Sequence, residues 1–380
     1  MRVLKILLRI VASIVVFVAM LEFCARLDDF FTYGAPIWRT YSSEGLLQVD
    51  RFGKRGSPGA RYKKWQLNSL GYRGPELRSG TVRIACFGAS ETFGLYEAPG
   101  QEYPRQLERD LDQWAGKPTF EVVNVAYPAQ TVASAVQRVP EVVEHVRPRF
   151  AVIYPFPASY AWLPSLKAVD QLPDSSPAKF EWRLGERIRT AAKTVVPEFV
   201  QYQIRELEVR MHEDRVKKKA ARYPVMDRVP EENVDLFRSD LVRLVDALRQ
   251  SGVEPVLVTH ATFFGKPLSR DDQQMLALWR EWIPMLTGEG LLDLEQRMNA
   301  AIRSVAAERH TVLIDAAAEI PPGGKYFADF THFTTLGAEL MAGKIAQGLE
   351  PVLSSEIASS AKQNDPTAKN DNMNPPLHLH

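Results

Sequence analysis

Short apolar runs alternate along the chain with longer segments in which apolar residues recur every three or four positions. Five of the short runs are rich in β-branched residues: 82–87, 120–126, 150–155, 254–260 and 311–315. Near-continuous apolar runs of this length are typical of strands in a parallel sheet that is covered on both faces. The pattern therefore predicts a parallel sheet built from these five runs.

Amphipathic helical segments lie between these runs. The helical stripe before the fourth run consists of Val234, Phe237, Leu241, Leu244, Val245 and Leu248. Another helical segment, 334–350, follows the fifth run. Strands that alternate with helices in this order indicate an α/β fold with right-handed crossovers. In such sheets the functional residues lie beyond the carboxyl ends of the strands.

The N-terminus carries an uninterrupted apolar run from Ile10 to Leu21, which further leucine and isoleucine residues extend toward the start. Its length approaches the ~20 residues that span a bilayer. Basic residues precede the run and mostly acidic residues follow it, which favours a cytoplasmic N-terminus. We predict an uncleaved, single-pass anchor over 1–25, with the rest of the chain periplasmic or extracellular. A cleaved signal peptide is the alternative, although no small-x-small site follows the run.

The remaining chain divides into three further parts by composition. Residues 26–80 are aromatic, basic and loop-like, and we predict a stalk and wrapping segment. Residues 81–353 form the predicted catalytic domain, with a helical insertion at about 160–232. That insertion is either a lid over the strand ends or a helical excursion on the flank. Residues 354–380 are rich in Asn, Ser, Lys and Pro, which predicts a disordered tail.

Composition narrows the range of chemistry. Of the 380 residues, 45% are apolar and 24% charged, as in ordinary globular proteins. A net charge of +1 gives no reason to expect a nucleic-acid partner. There is no Cys/His cluster with metal-ligand spacing and no phosphate-loop pattern, so we expect neither a metal nor a cofactor.

Ser90 is the first candidate for chemistry, in the stretch "RIACFGASETFG" at 83–94. The first strand ends in Gly88-Ala89, and the serine stands at the turn into a helix-compatible segment. One interpretation is a helix N-cap. The other is a nucleophile at the carboxyl end of a parallel strand, where a parallel sheet places its active site.

A serine nucleophile needs a base, and the base needs a carboxylate to orient it. His332 and Asp329 stand three residues apart in "DFTH", after the fifth strand and before the last helix. They could instead be helix caps. His260, at the end of the fourth strand, is the other histidine placed at the same rim.

These blocks resemble the SGNH (GDSL-like) hydrolase superfamily, in its membrane-anchored bacterial type. "FGASETFG" resembles the first block of that family, "VVNVAYPAQT" the second and "DFTHFTTLG" the last. The resemblance covers about 64–350 without most of the insertion. It implies a three-layer α/β/α sandwich with Ser90 as nucleophile, His332 as general base and Asp329 as its orienter. It also implies an oxyanion hole made from the backbone N–H of Ser90, a second-block N–H and a third-block Asn side chain.

The sequence departs from the family pattern in each of the first three blocks. Ala89 replaces the usual Asp, and Ala126 stands where the second block has glycine. In the third block, "VIYPFPASYAW" places Ala158 or Ser159 where the asparagine is expected. Loss of one oxyanion donor typically costs about 10²–10³ in rate. The auxiliary candidates for that role are Asn124, Ser159, His260 and a residue of the insertion.

Three functions are compatible with these residues. The first is a membrane-anchored serine esterase that hydrolyses acyl esters, such as O-acetyl groups, of surface or exported polysaccharide or of lipid through an acyl-serine intermediate. The second is an acyltransferase of the same fold, and the third is a degenerate SGNH-like binding protein. The expected partners are the bilayer and an acylated carbohydrate or lipid.

Overall fold

The structure is a computed structural model that describes residues 2–39, 41, 43–50, 53–161, 183, 184, 187 and 225–363. Helix α1 (Arg2–Tyr33) begins the chain. Within its stretch Leu4–Tyr33 the most apolar window of 18 residues has a mean hydropathy of 2.5, and by length and composition the stretch can cross a membrane or act as a signal sequence. The large apolar side chains between Leu4 and Phe23 are exposed, whereas Ala25 is buried. From its second residue on, the anchor predicted over 1–25 lies within this longer helix.

Two small hairpins follow α1. Strands β1 (Leu47–Asp50) and β2 (Gly53–Gly56) pair antiparallel, as do β3 (Arg61–Tyr62) and β4 (Trp65–Gln66). Leu46, Tyr62 and Leu67 of this region pack in one cluster with Phe93, the last residue of the short helix that follows the first strand of the main sheet. The predicted wrapping segment thus lies against the domain near Ser90.

The main domain alternates strands and helices in the predicted order. Its first half contains β5 (Val82–Gly88), α2 (Ser90–Phe93), α3 (Tyr103–Ala115), β6 (Phe120–Asn124), α4 (Val132–Val146) and β7 (Phe150–Tyr154). Its second half contains α5 (Glu231–Gln250), β8 (Glu254–Val258), α6 (Arg270–Trp282), α7 (Gly288–Glu308), β9 (Val312–Ile314), α8 (Ala316–Glu319) and α9 (Thr335–Gln363).

The strands form a five-stranded parallel sheet in the order β6-β5-β7-β8-β9. Alternate residues of β5 face opposite cores. Ala85 and Phe87 pack with α4, α5 and α7, whereas Ile84 and Cys86 pack with α3 and α9. The predicted α/β/α sandwich with five parallel strands is confirmed. The order reverses direction at β5, so the rim beyond β5 is the topological switch point where ligands bind in such sheets.

Some element boundaries differ from the sequence expectation. Helix α9 extends to Gln363, past the expected start of the tail at 354 and through Pro351. Helix α6 was not expected, because its polar residues leave only a narrow buried stripe that includes Leu276 and Trp279. Most of the predicted insertion at 160–232 and the tail beyond 363 lie outside the described residues. The predictions for those two segments therefore stay predictions.

Candidate active site

A glycine fixes the turn between β5 and α2. A Cβ on Gly88 would lie 2.0 Å from Thr92 Oγ1 and 2.8 Å from the Tyr154 carbonyl oxygen, so no larger residue fits without a shift. The N-cap of α2 is Ala89, and no side chain caps the helix. Ser90 is therefore not the N-cap, and its hydroxyl is directed elsewhere.

Ser90, His332 and Asp329 lie together at the carboxyl rim of the sheet. Ser90 Oγ is 2.8 Å from His332 Nε2. His332 Nδ1 is 2.8 Å from Asp329 Oδ2 and 3.0 Å from Asp329 Oδ1. Asp329 Oδ1 also accepts the backbone N–H groups of Thr331 and His332, at 3.0 and 2.9 Å. This arrangement places a hydroxyl, an imidazole and a carboxylate in the order that nucleophilic catalysis requires.

Electrostatics within this group favour an ionised Asp329. Burial acts to raise the pKa of Asp329, but the hydrogen bond from His332 and the charge of His332 outweigh it, so the pKa lies below its usual value. Burial acts to lower the pKa of His332, yet its hydrogen bond to Asp329 and the charges of Glu91, Asp329 and Glu97 raise it above 6.5. A more basic imidazole is a better proton acceptor for a serine hydroxyl.

Aromatic rings shape the surroundings of His332. The Tyr96 ring meets the imidazole edge-on, with ring centroids 5.1 Å apart. Phe330 stacks on Trp279 at 5.3 Å, and Trp279 stacks on Phe264 at 5.5 Å. This three-ring stack ties the loop that carries Asp329 and His332 to α6.

Helix α2 is held by side chains from three distant segments. Asn124 Nδ2 donates to the Thr92 carbonyl at 2.8 Å, and the Tyr103 hydroxyl lies 3.0 Å from Thr92 Oγ1. The buried Arg73 guanidinium donates to the carbonyls of Phe93 and Gly94 at the end of the helix. Asn124, an auxiliary oxyanion candidate in the sequence, thus has its amide engaged beneath the nucleophile.

The other oxyanion candidates are engaged in local contacts. The Ala126 backbone N–H lies 3.3 Å from Asn124 Oδ1, and its side chain is buried against Phe93. Ser159 lies in a short 3₁₀ helix, and its hydroxyl donates to the Phe156 carbonyl at 2.9 Å. No hydrogen bond among the described residues joins Ala126 or Ser159 to Ser90. As the first residue of α2, Ser90 keeps a backbone N–H that the helix itself does not use.

His260 lies behind the rim, where the sequence did not reveal its partners. Its Nδ1 is 2.8 Å from Glu295 Oε2, and its Nε2 is 3.1 Å from Thr331 Oγ1. Thr331 in turn donates to Glu91 Oε1 at 2.9 Å. Glu91 follows Ser90 in the chain and Thr331 precedes His332. This adjacency is the one signal in the sequence that could have identified Glu91 and Thr331.

The part of the chain that the structure describes holds no group of three or more His, Cys, Asp and Glu side chains able to bind a metal ion. The buried cysteine Cys86 is free, and burial raises the pKa of its thiol, so it stays a neutral core residue.

No family model matches the chain, and no curated protein matches it. Several solved structures do match. A lipase/acylhydrolase from Enterococcus faecalis is 17% identical, with a TM-score of 0.42 over 71% of this chain and 96% of that one. A GDSL-like lipase from Bacteroides thetaiotaomicron is 13% identical, with a TM-score of 0.39 over 71% and 88%. A catalytic mutant of Axe2, an acetylxylan esterase from Geobacillus stearothermophilus, is 13% identical, with a TM-score of 0.40 over 72% and 96%. At such low identity, activity has to be inferred from the residues of this chain.

Proposed function

We propose that the chain is a serine ester hydrolase of SGNH type. The observation that carries this proposal is the continuous hydrogen-bonded series from Ser90 Oγ through His332 to Asp329, at 2.8 Å for each link. A degenerate binding protein has no need to keep this geometry. The raised pKa of His332 and the lowered pKa of Asp329 fit a base and its orienting carboxylate.

Hydrolysis proceeds in two steps from this geometry. Ser90 Oγ attacks the acyl carbonyl carbon while His332 Nε2 takes the hydroxyl proton, and Asp329 stabilises the imidazolium. The backbone N–H of Ser90 donates to the oxyanion. His332 then gives its proton to the departing alcohol, which leaves an acyl-serine. A water molecule, deprotonated by His332, cleaves the acyl-serine and restores the free hydroxyl.

The substrate class follows from location rather than from a contact. We propose that α1 anchors the chain in a membrane with the catalytic domain on the periplasmic or extracellular side. An enzyme held there meets acyl esters, such as O-acetyl groups, of surface or exported polysaccharide and of lipid. The exposed apolar side chains of α1 and the basic residues before the run Ile10–Leu21 support this location.

Hydrolysis of p-nitrophenyl acetate by the full chain in detergent micelles tests the function. We expect Ser90→Ala and His332→Ala to lower kcat/KM by at least about 10³-fold and Asp329→Asn by about 10²–10⁴-fold. A fluorophosphonate probe should label Ser90 of the parent, as identified by mass spectrometry. Ser304→Ala is the matched control, because its hydroxyl bonds Glu308 on the exposed face of α7.

A parent that neither hydrolyses the ester nor reacts with the probe would refute the proposal. A labelled Ser90 without ester hydrolysis would redirect the assignment to acyl transfer onto an alcohol other than water. Unequal melting temperatures among the variants would mark loss of folding rather than loss of chemistry.

A further inference from the structure

A second ionisable group lies buried directly behind the proposed triad. It consists of Glu91, His260, Glu295 and Thr331, each at most 6% exposed. The imidazole of His260 lies between two carboxylates, with Nδ1 2.8 Å from Glu295 Oε2 and Nε2 3.7 Å from Glu91 Oε1. Burying charges costs several kcal/mol per ion before pairing, and apolar residues of similar size are often at least as stable. Folding alone therefore does not explain this group.

The hydrogen bonds determine where the protons lie. The Thr331 hydroxyl has one proton, and it donates that proton to Glu91 Oε1 at 2.9 Å. Toward His260 Nε2, at 3.1 Å, the same oxygen can only accept, so Nε2 carries a proton. Nδ1 faces the carboxylate of Glu295, which can only accept a hydrogen bond, so Nδ1 carries a proton as well. A doubly protonated, positively charged ring thus satisfies the contacts of both ring nitrogens.

Charges around His260 agree with this assignment. Burial acts to lower the pKa of His260, but the charge and hydrogen bond of Glu295, with those of Glu91, raise it to about 9. Burial acts to raise the pKa of Glu91, but its interactions with His260 and His332 hold it below the usual value. The phenol ring of Tyr154 stacks on His260 at 5.2 Å, and Tyr154 stays neutral because burial raises its pKa.

This group is joined to both reacting side chains through the backbone. Glu91 follows Ser90 in α2, and Thr331 precedes His332 in the loop after β9. The hydrogen bond between Thr331 and Glu91 therefore connects the nucleophile helix to the base loop. Glu91 Oε2 also lies 3.4 Å from Ser90 Oγ, where a free carboxylate would compete with His332 for the serine proton.

We propose that His260 is a positioning residue for ester hydrolysis at Ser90. The Nε2–H of His260 donates a hydrogen bond to Thr331 Oγ1. The hydroxyl proton of Thr331 therefore points toward Glu91. That fixes the spacing between α2 and the base loop and holds Glu91 Oε1 on Thr331. Glu91 Oε2 therefore reaches Ser90 Oγ only at 3.4 Å, a longer contact than the 2.8 Å from Ser90 Oγ to His332 Nε2. The inference rests on the proposed function, because positioning has meaning only for a reacting Ser90 and His332.

The test uses the full chain in detergent micelles with p-nitrophenyl acetate. Thr331→Val removes the hydroxyl at almost constant shape, and His260→Leu removes both ring nitrogens. We expect each to lower kcat by about 10²-fold, the usual effect of a small misplacement of reacting groups, with KM little changed. The double variant should be no worse than the poorer single variant, because the two residues act as one unit. Thr331→Ser should recover most of the parent kcat.

Thr259→Val is the matched control for a lost buried hydroxyl. Thr259 stands next to His260 in the chain, but its hydroxyl bonds Asp315 at 2.7 Å and no member of the triad. We expect this variant to be destabilised with an unchanged kcat. If His260→Leu fails to fold, Thr331→Val still decides the question, since it alters only the loop.

A second readout does not depend on activity. In protein carrying ¹⁵N-labelled histidine, the two ring nitrogens of His260 should both be protonated at pH 7.5, with assignment from His260→Gln. A neutral His260 at that pH would overturn the proposal, as would a kcat of Thr331→Val within threefold of the parent. Loss of activity in Ser90→Ala with unaffected Thr331→Val would overturn the positioning role alone. An inactive, unlabelled parent would overturn the proposed function and, with it, this inference.

Discussion

Replacement of Arg73 by methionine is expected to be the most destabilising single change near the candidate site. The guanidinium is buried and donates to the carbonyls of Phe93, Gly94 and Glu97. Its Nη2 also pairs with Glu102 Oε2 at 3.5 Å, with both side chains only 2% exposed. Methionine fills much of the volume but supplies no donor and no charge.

The magnitude follows from what the substitution leaves behind. Removing one partner of a buried ion pair costs about 3–5 kcal/mol, because the other charge stays buried without compensation. At ~2–4 °C per kcal/mol for a domain of this size, the melting temperature should fall by ~6–20 °C. Arg73→Met/Glu102→Gln should recover part of the loss, since no uncompensated charge then remains.

Thermal unfolding followed by circular dichroism measures these differences on the full chain in detergent. Arg238→Met is the matched control, because Arg238 pairs with Glu308 at the surface and both side chains are more than a third exposed. Surface pairs of that kind contribute ~0–1 kcal/mol. The reasoning fails if Arg73→Met lowers the melting temperature no more than Arg238→Met does. It also fails if adding Glu102→Gln to Arg73→Met does not raise the melting temperature again.

The remaining predictions concern the turn and the charges at the rim. Gly88→Ala places a Cβ against Thr92 Oγ1, so it should displace α2, destabilise the domain by about 1–3 kcal/mol and lower kcat more than tenfold. A folded variant with the kcat of the parent would show that this close contact does not move the nucleophile. Burial raises the pKa of Glu97 to about 7, and its charge raises the pKa of His332. Glu97→Gln should therefore move the rising limb of the pH profile of kcat/KM to lower pH, and a shift to higher pH would be inconsistent. His260 has a folded pKa of about 9 against 6.5 unfolded, so its stabilising contribution is complete below pH 6.5 and lost as pH rises through 9. In urea unfolding, the free energy by which the parent is more stable than His260→Gln should fall by about 3 kcal/mol as the pH rises from 6.5 through 9. A difference between the two proteins that does not change with pH would show that His260 is not charged in the folded state.

The pattern of apolar and polar residues was sufficient to predict the sheet and the elements that carry Ser90 and His332. Strands buried on both faces are continuous apolar runs, and the carboxyl ends of parallel strands meet at one rim. That geometry brings Ser90 near His332 although they are 242 positions apart. The sequence also suggested His260 at the same rim, because it ends a strand.

The supporting contacts could not be predicted in the same way. Thr331 and Glu91 meet across 240 positions, and Arg73 reaches the end of α2 from the wrapping segment. Each contact depends on the relative placement of loops and hairpins, which no periodicity encodes. The oxyanion candidates Asn124, Ala126 and Ser159 were assigned by block position, and their hydrogen bonds depend on turn geometry that the same blocks do not specify.

The fixation of α2 has a consequence for the temperature dependence of the reaction. Its carbonyls and side chains are bound by Asn124, Tyr103, Arg73 and Thr331 before any substrate arrives. The entropy of ordering the nucleophile is therefore lost during folding and not during turnover. We expect the acylation step to have a small activation entropy and a barrier that is mainly enthalpic. In variants with a less firmly held α2, we expect the activation entropy of acylation to become more unfavourable, while the activation enthalpy changes little.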